Sequence, residues 1–323
     1  MYQLSEIEEA AQRLKSIAIK TPLFESLELD KKVGGKIFVK PECIQRTGSF
    51  KIRGAYNLMS QLSTKDASHG VVAFSSGNHA QGVALAGQIL NIDTTIVIPE
   101  DAPSSKIENT IKLGGKVILY DRYKENREEI AKNIASDTGA TLVPSYDHKD
   151  IIIGQGTVGL EIIEQAKSQH TSIDQVLICC GGGGLSAGSA VSIKAISPKT
   201  DIYLIEPENF NDTERSFVNK KRISNEIGKQ SICDALLADT PGELTFKINN
   251  KLAAGVLTVS DEEVKEAMRF SFQHFKMVVE PGGAVALAAA LSRKIEFSGK
   301  ISVIVLSGGN VDSDLFNQIQ AQV

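Results

Sequence analysis

At 323 residues the chain is long enough for two modest domains or one large one, with enough apolar residues for a substantial core. Its 35 Lys+Arg against 39 Asp+Glu give a formal net charge of -4 with no long run of one sign, which argues against nucleic acid as a partner. No apolar run reaches membrane-span length, the polar N-terminus with Glu6, Glu8 and Glu9 resembles neither a signal nor a transit peptide, and Cys43, Cys179, Cys180 and Cys233 offer neither a metal spacing nor a disulfide framework, so a reducing, cytoplasmic setting fits.

In chain order, the first stretch that carries chemistry is Thr47, Gly48, Ser49, Phe50, Lys51, Ile52, Arg53 and Gly54. Flanking by Phe50 and Ile52 desolvates Lys51, disfavours its ammonium form and leaves a neutral amine able to attack a carbonyl, as a Schiff-base lysine must. Taken alone, the octapeptide reads equally well as a surface lysine opening a helix over 51–62. From residue 71, short β-rich runs at 71–74, 95–98, 116–119 and 141–143 alternate with helical stretches that include 81–90 and 124–138. That alternation requires crossover connections and a parallel sheet. A second series of strands at 176–180, 202–205, 256–259 and 301–306 resumes the pattern. Between the two series, the segment 144–156 has no long periodic run and carries Gly154 and Gly156, so it is expected to be the hinge or crossing between two sheets. Ser260 with Glu263 three residues on predicts a capping box and a helix from Asp261.

In open parallel sheets, ligands collect beyond the carboxyl ends of the strands. There the chain places Ser75, Ser76, Gly77, Asn78 and His79; then Gly181, Gly182, Gly183, Gly184 and Leu185; then Glu206; and finally Ser307, Gly308, Gly309 and Asn310. Three of the four are glycine-rich turns whose free N–H groups face a common cleft, an anion-binding arrangement. The four glycines open a helix over 185–196 and can wrap a phosphate without side-chain interference. The same stretch meets the dinucleotide spacing at Gly182, Gly184 and Ala187, with Glu206 about 20 residues on, so an NAD-dependent oxidoreductase is a rival that leaves Lys51 and the 75–79 turn without a role. That turn is a seat for a substrate carboxylate or a plain N-cap, and His79 by itself is more often structural than catalytic. Glu206 and Asp212, with a backbone carbonyl near Phe210, read either as a hard-cation site or as a solvated loop. Glu280, before Pro281, reads as a helix-entry acid or as a pocket residue.

With these residues assembled, the sequence resembles the fold-type II pyridoxal-phosphate enzymes, within them the threonine/serine dehydratase and serine racemase group. The resemblance spans nearly the whole chain, through motifs at 48–54, 75–81, 154–157, 181–185 and 306–312. It implies an α/β fold of two parallel-sheet domains in the tryptophan synthase β-like architecture, with 1–62 and 147–323 as a large cofactor-binding domain and 63–146 as a small mobile domain that closes on substrate. It implies pyridoxal 5'-phosphate carried by Lys51, with Phe50 packed on the ring, Asn78 at the 3-hydroxyl, Ser307 at the pyridine nitrogen, and Gly181 to Gly184 with Leu185 around the phosphate. Ser75, Ser76, Asn78, His79 and Gln155 then receive the amino-acid substrate, while Glu206, the carbonyl of Phe210 and Asp212 match a site for Mg2+ (or Ca2+ or Mn2+). A homodimer is implied as well.

A serine facing the pyridine nitrogen cannot keep it protonated as a carboxylate would, so loss of a β-leaving group is favoured over transamination. Lys51 is then the base for the α-proton, and a cation or the cofactor phosphate helps hydroxide depart. The expected activity is dehydration of L-threonine and L-serine to a 2-oxo acid and ammonia. Serine racemase with side elimination, in which Ser76 serves the opposite face, and 3-hydroxyaspartate dehydratase are the alternatives. Tyr146, Asp147 and His148, and the run Cys233 to Leu237, depart from a metazoan racemase pattern and weigh against racemisation as the main activity. Intact Lys51 and Ser76 argue against a non-catalytic amino-acid sensor. Because the sequence ends about ten residues after Asp312, feedback control by isoleucine is not expected.

Overall fold

In the computed structural model, which describes residues 2–102 and 104–321, the Val- and Ile-rich runs form strands β1 (Phe24–Glu25), β2 (Lys36–Pro41), β3 (Val71–Phe74), β4 (Thr94–Pro99), β5 (Lys116–Tyr120), β6 (Thr141–Leu142), β7 (Gln175–Cys179), β8 (Asp201–Pro207), β9 (Gly255–Val259) and β10 (Ile301–Leu306). They make a six-stranded sheet in the order β1-β2-β10-β7-β8-β9 and a four-stranded sheet in the order β5-β4-β3-β6. Every pairing is parallel except β1 with β2. Parallel neighbours need crossovers, and the covering helices bury both faces of the central strands. Accordingly Val176, Leu177 and Ile178 of β7 and Val303, Ile304 and Val305 of β10 are all fully buried, as continuous apolar runs rather than alternating ones. The molecule is thus the parallel α/β fold expected, with strand ends displaced by a residue or so.

The segment 144–156 does lie on the crossing between the two sheets, from β6 of the four-stranded sheet toward β7 of the six-stranded one, but it is not the irregular stretch expected. A helix begins at Lys149 within it and runs unbroken to Ser168, with His148 as N-cap. Ile151, Ile152 and Ile153 are all buried, because this helix lies between the Lys51–Met59 helix and the Gly184–Ile196 helix. A helix buried all round shows no amphipathic period, which is why the sequence pattern missed it. Its glycines are contact points: a Cβ on Gly156 would come within 2.8 Å of the Gly188 carbonyl oxygen, and one on Gly188 would overlap the Ile152 carbonyl. The helix opening at Lys51 is shorter than expected, ending at Met59, whereas the Ser260 capping box forms as expected, with both Ser260 and Glu263 engaged.

Two residues beyond Lys51, Arg53 anchors the turn. Its guanidinium is 1% exposed and donates to Glu42 Oε2 and Oε1 (both 2.8 Å) and to Glu161 Oε1 (2.7 Å) and Oε2 (3.0 Å), so it is bidentate on both carboxylates. Burial alone would raise the Glu42 carboxyl, but the charge and hydrogen bonds of Arg53 pull it below its ordinary value. Removing one partner of such a network leaves an uncompensated buried charge. Arg53→Met should therefore destabilise the protein by about 3–5 kcal/mol, read as a lower urea midpoint. Gly188→Val, which must drive two helices apart, should cost about 1–3 kcal/mol in the same measurement. A midpoint unchanged in either variant would contradict the packing described.

Candidate active site

The Lys51 turn, the turn after β3, the glycine run after β7 and the turn after β10 converge on one cavity of about 400 Å³. Pairing of Ser49 with Gly308, together with hydrogen bonds from Phe50 N to Ser307 O (3.2 Å) and Gly309 N to Gly48 O (2.9 Å), joins the first turn to the last. Lys51 opens its helix inside the cavity, where Nζ donates to the Ser145 carbonyl (2.9 Å) and lies 5.2 Å from the Phe50 ring centre. Burial lowers its pKa to about 8, against the opposing influence of Cys179 and Glu280. The neutral amine expected from the flanking residues is therefore accessible near physiological pH.

After β3, Ser75 Oγ accepts from Gly77 N (3.2 Å), and the Asn78–Leu90 helix begins without a side-chain cap. Ser75, Ser76, Asn78 and His79 all line the cavity. The His79 ring is buried, with Nε2 2.9 Å from the Val143 carbonyl. A carbonyl only accepts, so Nε2 carries the proton. Burial, then Lys51, push the ring pKa down to about 3, so His79 stays neutral and its one N–H is engaged away from any substrate. Expected as a carboxylate ligand, it instead ties the turn to the 140s segment.

Gly181 to Gly184 and Leu185 line the cavity at the start of the Gly184–Ile196 helix, which has no side-chain cap. Gly183 is left-handed (φ 88°), and a Cβ there would approach Asn249 Nδ2 to 2.8 Å. Thr245 Oγ1 donates to Gly182 O (2.7 Å) and Ser186 Oγ to Gly183 O (3.0 Å), so the loop carbonyls are held and the uncapped amides remain for an anion. Asp147 accepts from the backbone N–H groups of Glu243 (2.8 Å), Leu244 (2.9 Å) and Thr245 (3.1 Å), which ties the 144–148 stretch to the helix beside the loop. Ser307 and Cys179 complete the floor.

Two expected groups lie elsewhere. Gln155 is buried in the middle of the Lys149–Ser168 helix beside Gly54, with neither amide atom hydrogen-bonded, and is not part of the cavity wall. Its motif survives as helix packing rather than as a loop. Glu206, at the end of β8, and Asp212 are fully buried together, also outside the wall; Phe210 ends the short turn between them. Glu206 accepts from Thr213 N (3.1 Å) and Glu214 N (2.9 Å), Asp212 Oδ1 accepts from Asn225 Nδ2 (2.7 Å), and Asp212 Oδ2 has no partner. Burial and then Asp212 raise the Glu206 carboxyl well above its usual value, while burial raises Asp212 to about 7. A ribose-binding role for Glu206 is excluded by this position, and with it the structural basis of the dinucleotide reading. Among the described residues there is no cluster of three or more His, Cys, Asp or Glu suited to a metal.

The cavity also contains groups to which sequence reasoning gave no role or left an ambiguous one: Glu280, Asn310, Tyr146, Arg127 and Arg222. Glu280 precedes Pro281 at a helix start, and Asn310 closes the last glycine turn, so both had a positional signal. Arg127 and Arg222 had none, each lying in a highly charged stretch, Arg127 beside Glu128 and Glu129 and Arg222 after Lys220 and Lys221.

The fold and this cavity define a cofactor-dependent α/β enzyme, and comparison with known proteins identifies the family. Residues 14–308 match the family described as "Pyridoxal-phosphate dependent enzyme", and the chain belongs to it. It is 43% identical over 311 residues to an L-threo-3-hydroxyaspartate ammonia-lyase of Pseudomonas sp, covering 96% of both chains. To an L-threonine ammonia-lyase of Thermotoga maritima it is 40% identical, covering 99% of this chain and 78% of that one. The solved structure of maize serine racemase superposes with a TM-score of 0.92 at 39% identity, covering 98% of this chain and 96% of that one.

Capture of pyridoxal phosphate by cofactor-free protein requires the neutral Lys51 amine. The rate at which the visible absorption band develops should rise with pH to a plateau, with its midpoint at about 8, and Lys51→Ala should develop no such band. A midpoint near that of an exposed lysine, about 10.4, would contradict the desolvated site.

Proposed function

We propose that the protein is a pyridoxal-phosphate-dependent ammonia-lyase that removes water and ammonia from L-threonine or L-serine to leave a 2-oxo acid. The observation that carries this reading is a single cavity in which a buried, easily neutralised Lys51 faces an uncapped glycine loop for phosphate, a serine- and amide-lined turn for a carboxylate, and Ser307 where a carboxylate would favour other chemistry. When bound, pyridoxal phosphate supplies the electron sink for the substrate's α-carbon. Phe50 packs on its ring, Asn78 meets its ring oxygen, and Gly181 to Leu185 hold its phosphate. Ser75, Ser76 and the amides that open the Asn78–Leu90 helix seat the substrate carboxylate, with neutral His79 bracing the turn. Lys51 Nζ would take the α-proton, and Ser76, which also lines the cavity, would exchange a proton on the other face and so give racemisation as a side activity. Residues 63–146 close over the substrate; the 2.6 Å ion pair between Lys106 and Asp234, both on the cavity wall, supports a clasp across its mouth. The chain is taken to work as a homodimer in the cytosol, in keeping with its four free, buried cysteines.

A second reading has a specific observation in its favour. Arg127 and Arg222 line the cavity, are exposed, and form no salt bridge among the described residues. They would suit the second carboxylate of 3-hydroxyaspartate, the substrate named for a relative at 43% identity. A panel of L-threonine, L-serine and L-threo-3-hydroxyaspartate, with 2-oxo acid and the handedness of residual substrate measured, separates the readings. Lys51→Ala should lower turnover of the preferred substrate by about 10²–10⁴-fold; turnover comparable to wild type would remove the assignment. Arg127→Met should raise KM for the dicarboxylate while leaving that for threonine alone.

Glu206 and Asp212 are proposed to hold a divalent cation, with the Phe210 carbonyl and water completing its ligands. Two buried acids with an orphaned oxygen fit a hard cation. Both folded-state pKa values are raised, so without a cation the folded protein binds more protons than the unfolded chain above pH ~4. In chelator, thermal stability should therefore fall as pH rises from about 4 to about 7, and Mg2+ should cancel that fall. Identical profiles with and without chelator would count against the site.

A further inference from the structure

We propose that Glu280 and Asn310 are positioning residues that lock the side-chain amide of Asn78 so that an N–H, never its carbonyl, is presented to the ring oxygen of the bound cofactor. This rests on the pyridoxal-phosphate reading above.

Glu280 is the N-cap of the Pro281–Leu291 helix, yet its side chain makes no cap hydrogen bond and is 3% exposed. Here Oε1 instead accepts from Asn78 Nδ2 across 202 residues of sequence. On the other side, Asn78 Oδ1 accepts from Asn310 Nδ2 (2.7 Å), and the same Asn310 nitrogen donates to the Thr47 carbonyl (2.7 Å). A backbone carbonyl only accepts, so the atom facing it is the nitrogen of Asn310, and that nitrogen has two hydrogens for its two acceptors. The oxygen of Asn78 is therefore the atom turned to Asn310, and its nitrogen is the atom turned to Glu280. The relay from Thr47 through Asn310 and Asn78 to Glu280 runs in one direction only. One Asn78 N–H is left over, on a residue that lines the cavity.

The backbone makes room for this relay at both ends. A Cβ on Gly308 would overlap Glu280 Oε1, and one on Gly48, which is left-handed at φ 70°, would come within 2.6 Å of Asn310 Oδ1. Glycine at both positions lets the carboxylate and the amide lie directly on the main chain. The charged neighbours of Glu280 are Asp234, Lys106 and Lys51; burial and Asp234 push its carboxyl up to about 7, so it titrates near neutrality. The Asn310 end is set by a main-chain carbonyl and keeps its direction whatever the state of Glu280.

Donation of N–H to a ring oxygen favours its ionised form, and a carbonyl there would favour the protonated form. The relay thus sets the protonation state of the cofactor ring before substrate arrives. The test compares wild type, E280Q, E280A and N310A loaded with pyridoxal phosphate, reading the visible absorption band and the affinity for the cofactor. E280A and N310A each remove one of the two contacts that fix the Asn78 amide and so loosen its orientation; each should move absorption toward shorter wavelength and weaken cofactor binding by about tenfold. E280Q, which keeps an acceptor oxygen for Asn78, should retain the wild-type band. A wild-type protein that acquires no band at all overturns the cofactor reading, and this proposal with it. A normal wild-type band left unchanged in both E280A and N310A overturns this proposal alone, as does an E280Q protein shifted as far as E280A.

Discussion

A single buried guanidinium holds the Lys51 turn in place. Arg53 follows Lys51 by two residues and is bonded to Glu42, just after β2, and to Glu161, on the long Lys149–Ser168 helix. Desolvating a guanidinium is tolerable only when its donors are nearly all matched, and two carboxylates taken bidentately provide that match. The geometry is stiff because the fork is planar; a lysine in its place would offer a point charge free to rotate. With Ser49 paired to Gly308 on the other side, the turn from Gly48 to Lys51 is fixed at both ends, and the lysine amine has one place to be. That place is desolvated because the same helices that carry the ion network also close off water. The low pKa of Lys51 is thus a consequence of how its helix is docked.

The alternating strands and helices could be read from β-branched runs and turn residues, and the glycine-rich turns could be placed at strand ends because parallel sheets put ligands there. Lys51, Ser75, Ser76, Asn78, the four glycines and Ser307 come together in one cavity because each lies at such an end. The long central helix was illegible because its first half, from Ile151 to Leu160, is buried on every side and interrupted by Gly154, Gly156 and Gly159, which single-sequence rules treat as breakers. Those glycines are informative only once the partner helix with Gly188 is known. His79 by itself reads as structural and only the family resemblance made it a ligand; the position of the Val143 carbonyl shows that its N–H is engaged. Glu280 could be read two ways from its place before Pro281, and what decides is a side chain far away in sequence.

The electrostatics of the cavity follow from which groups are left uncharged. His79 is neutral, Cys179 is raised by burial to about 11, and the hydroxyls of Ser75, Ser76 and Ser307 do not titrate in the working range. Glu280 and Lys51, both titrating within a unit or so of neutrality, are the buried exceptions. Neither is held in a fixed state by a tight ion pair, so the cavity can pass a proton without first breaking a strong salt bridge. The permanently charged Arg127 and Arg222 are exposed, where solvent screens them. Fixed charge of both signs on the exposed rim, with Glu128 and Asp234 beside the arginines, and adjustable charge at depth suit a site that takes a zwitterionic amino acid.

The two buried acid pairs of the chain make the opposite choice in a way that separates structure from ligand binding. Glu42 and Glu161 face Arg53 and Lys40, so their charges are answered by residues of the chain, and the network is complete as it folds. Glu206 and Asp212 lie close enough for each to disfavour the other's charge, with backbone N–H groups and one asparagine as their partners and one oxygen left over. Glu206 also holds the first-turn amides of the Asp212–Asn219 helix, which has no side-chain cap of its own. The Arg53 network is thus complete within the chain, whereas Asp212 Oδ2 has no hydrogen-bond partner among the described residues. Cys180, next to Gly181, contacts Thr213 beside Asp212 (3.6 Å), so the packing around these acids is continuous with the start of the glycine loop.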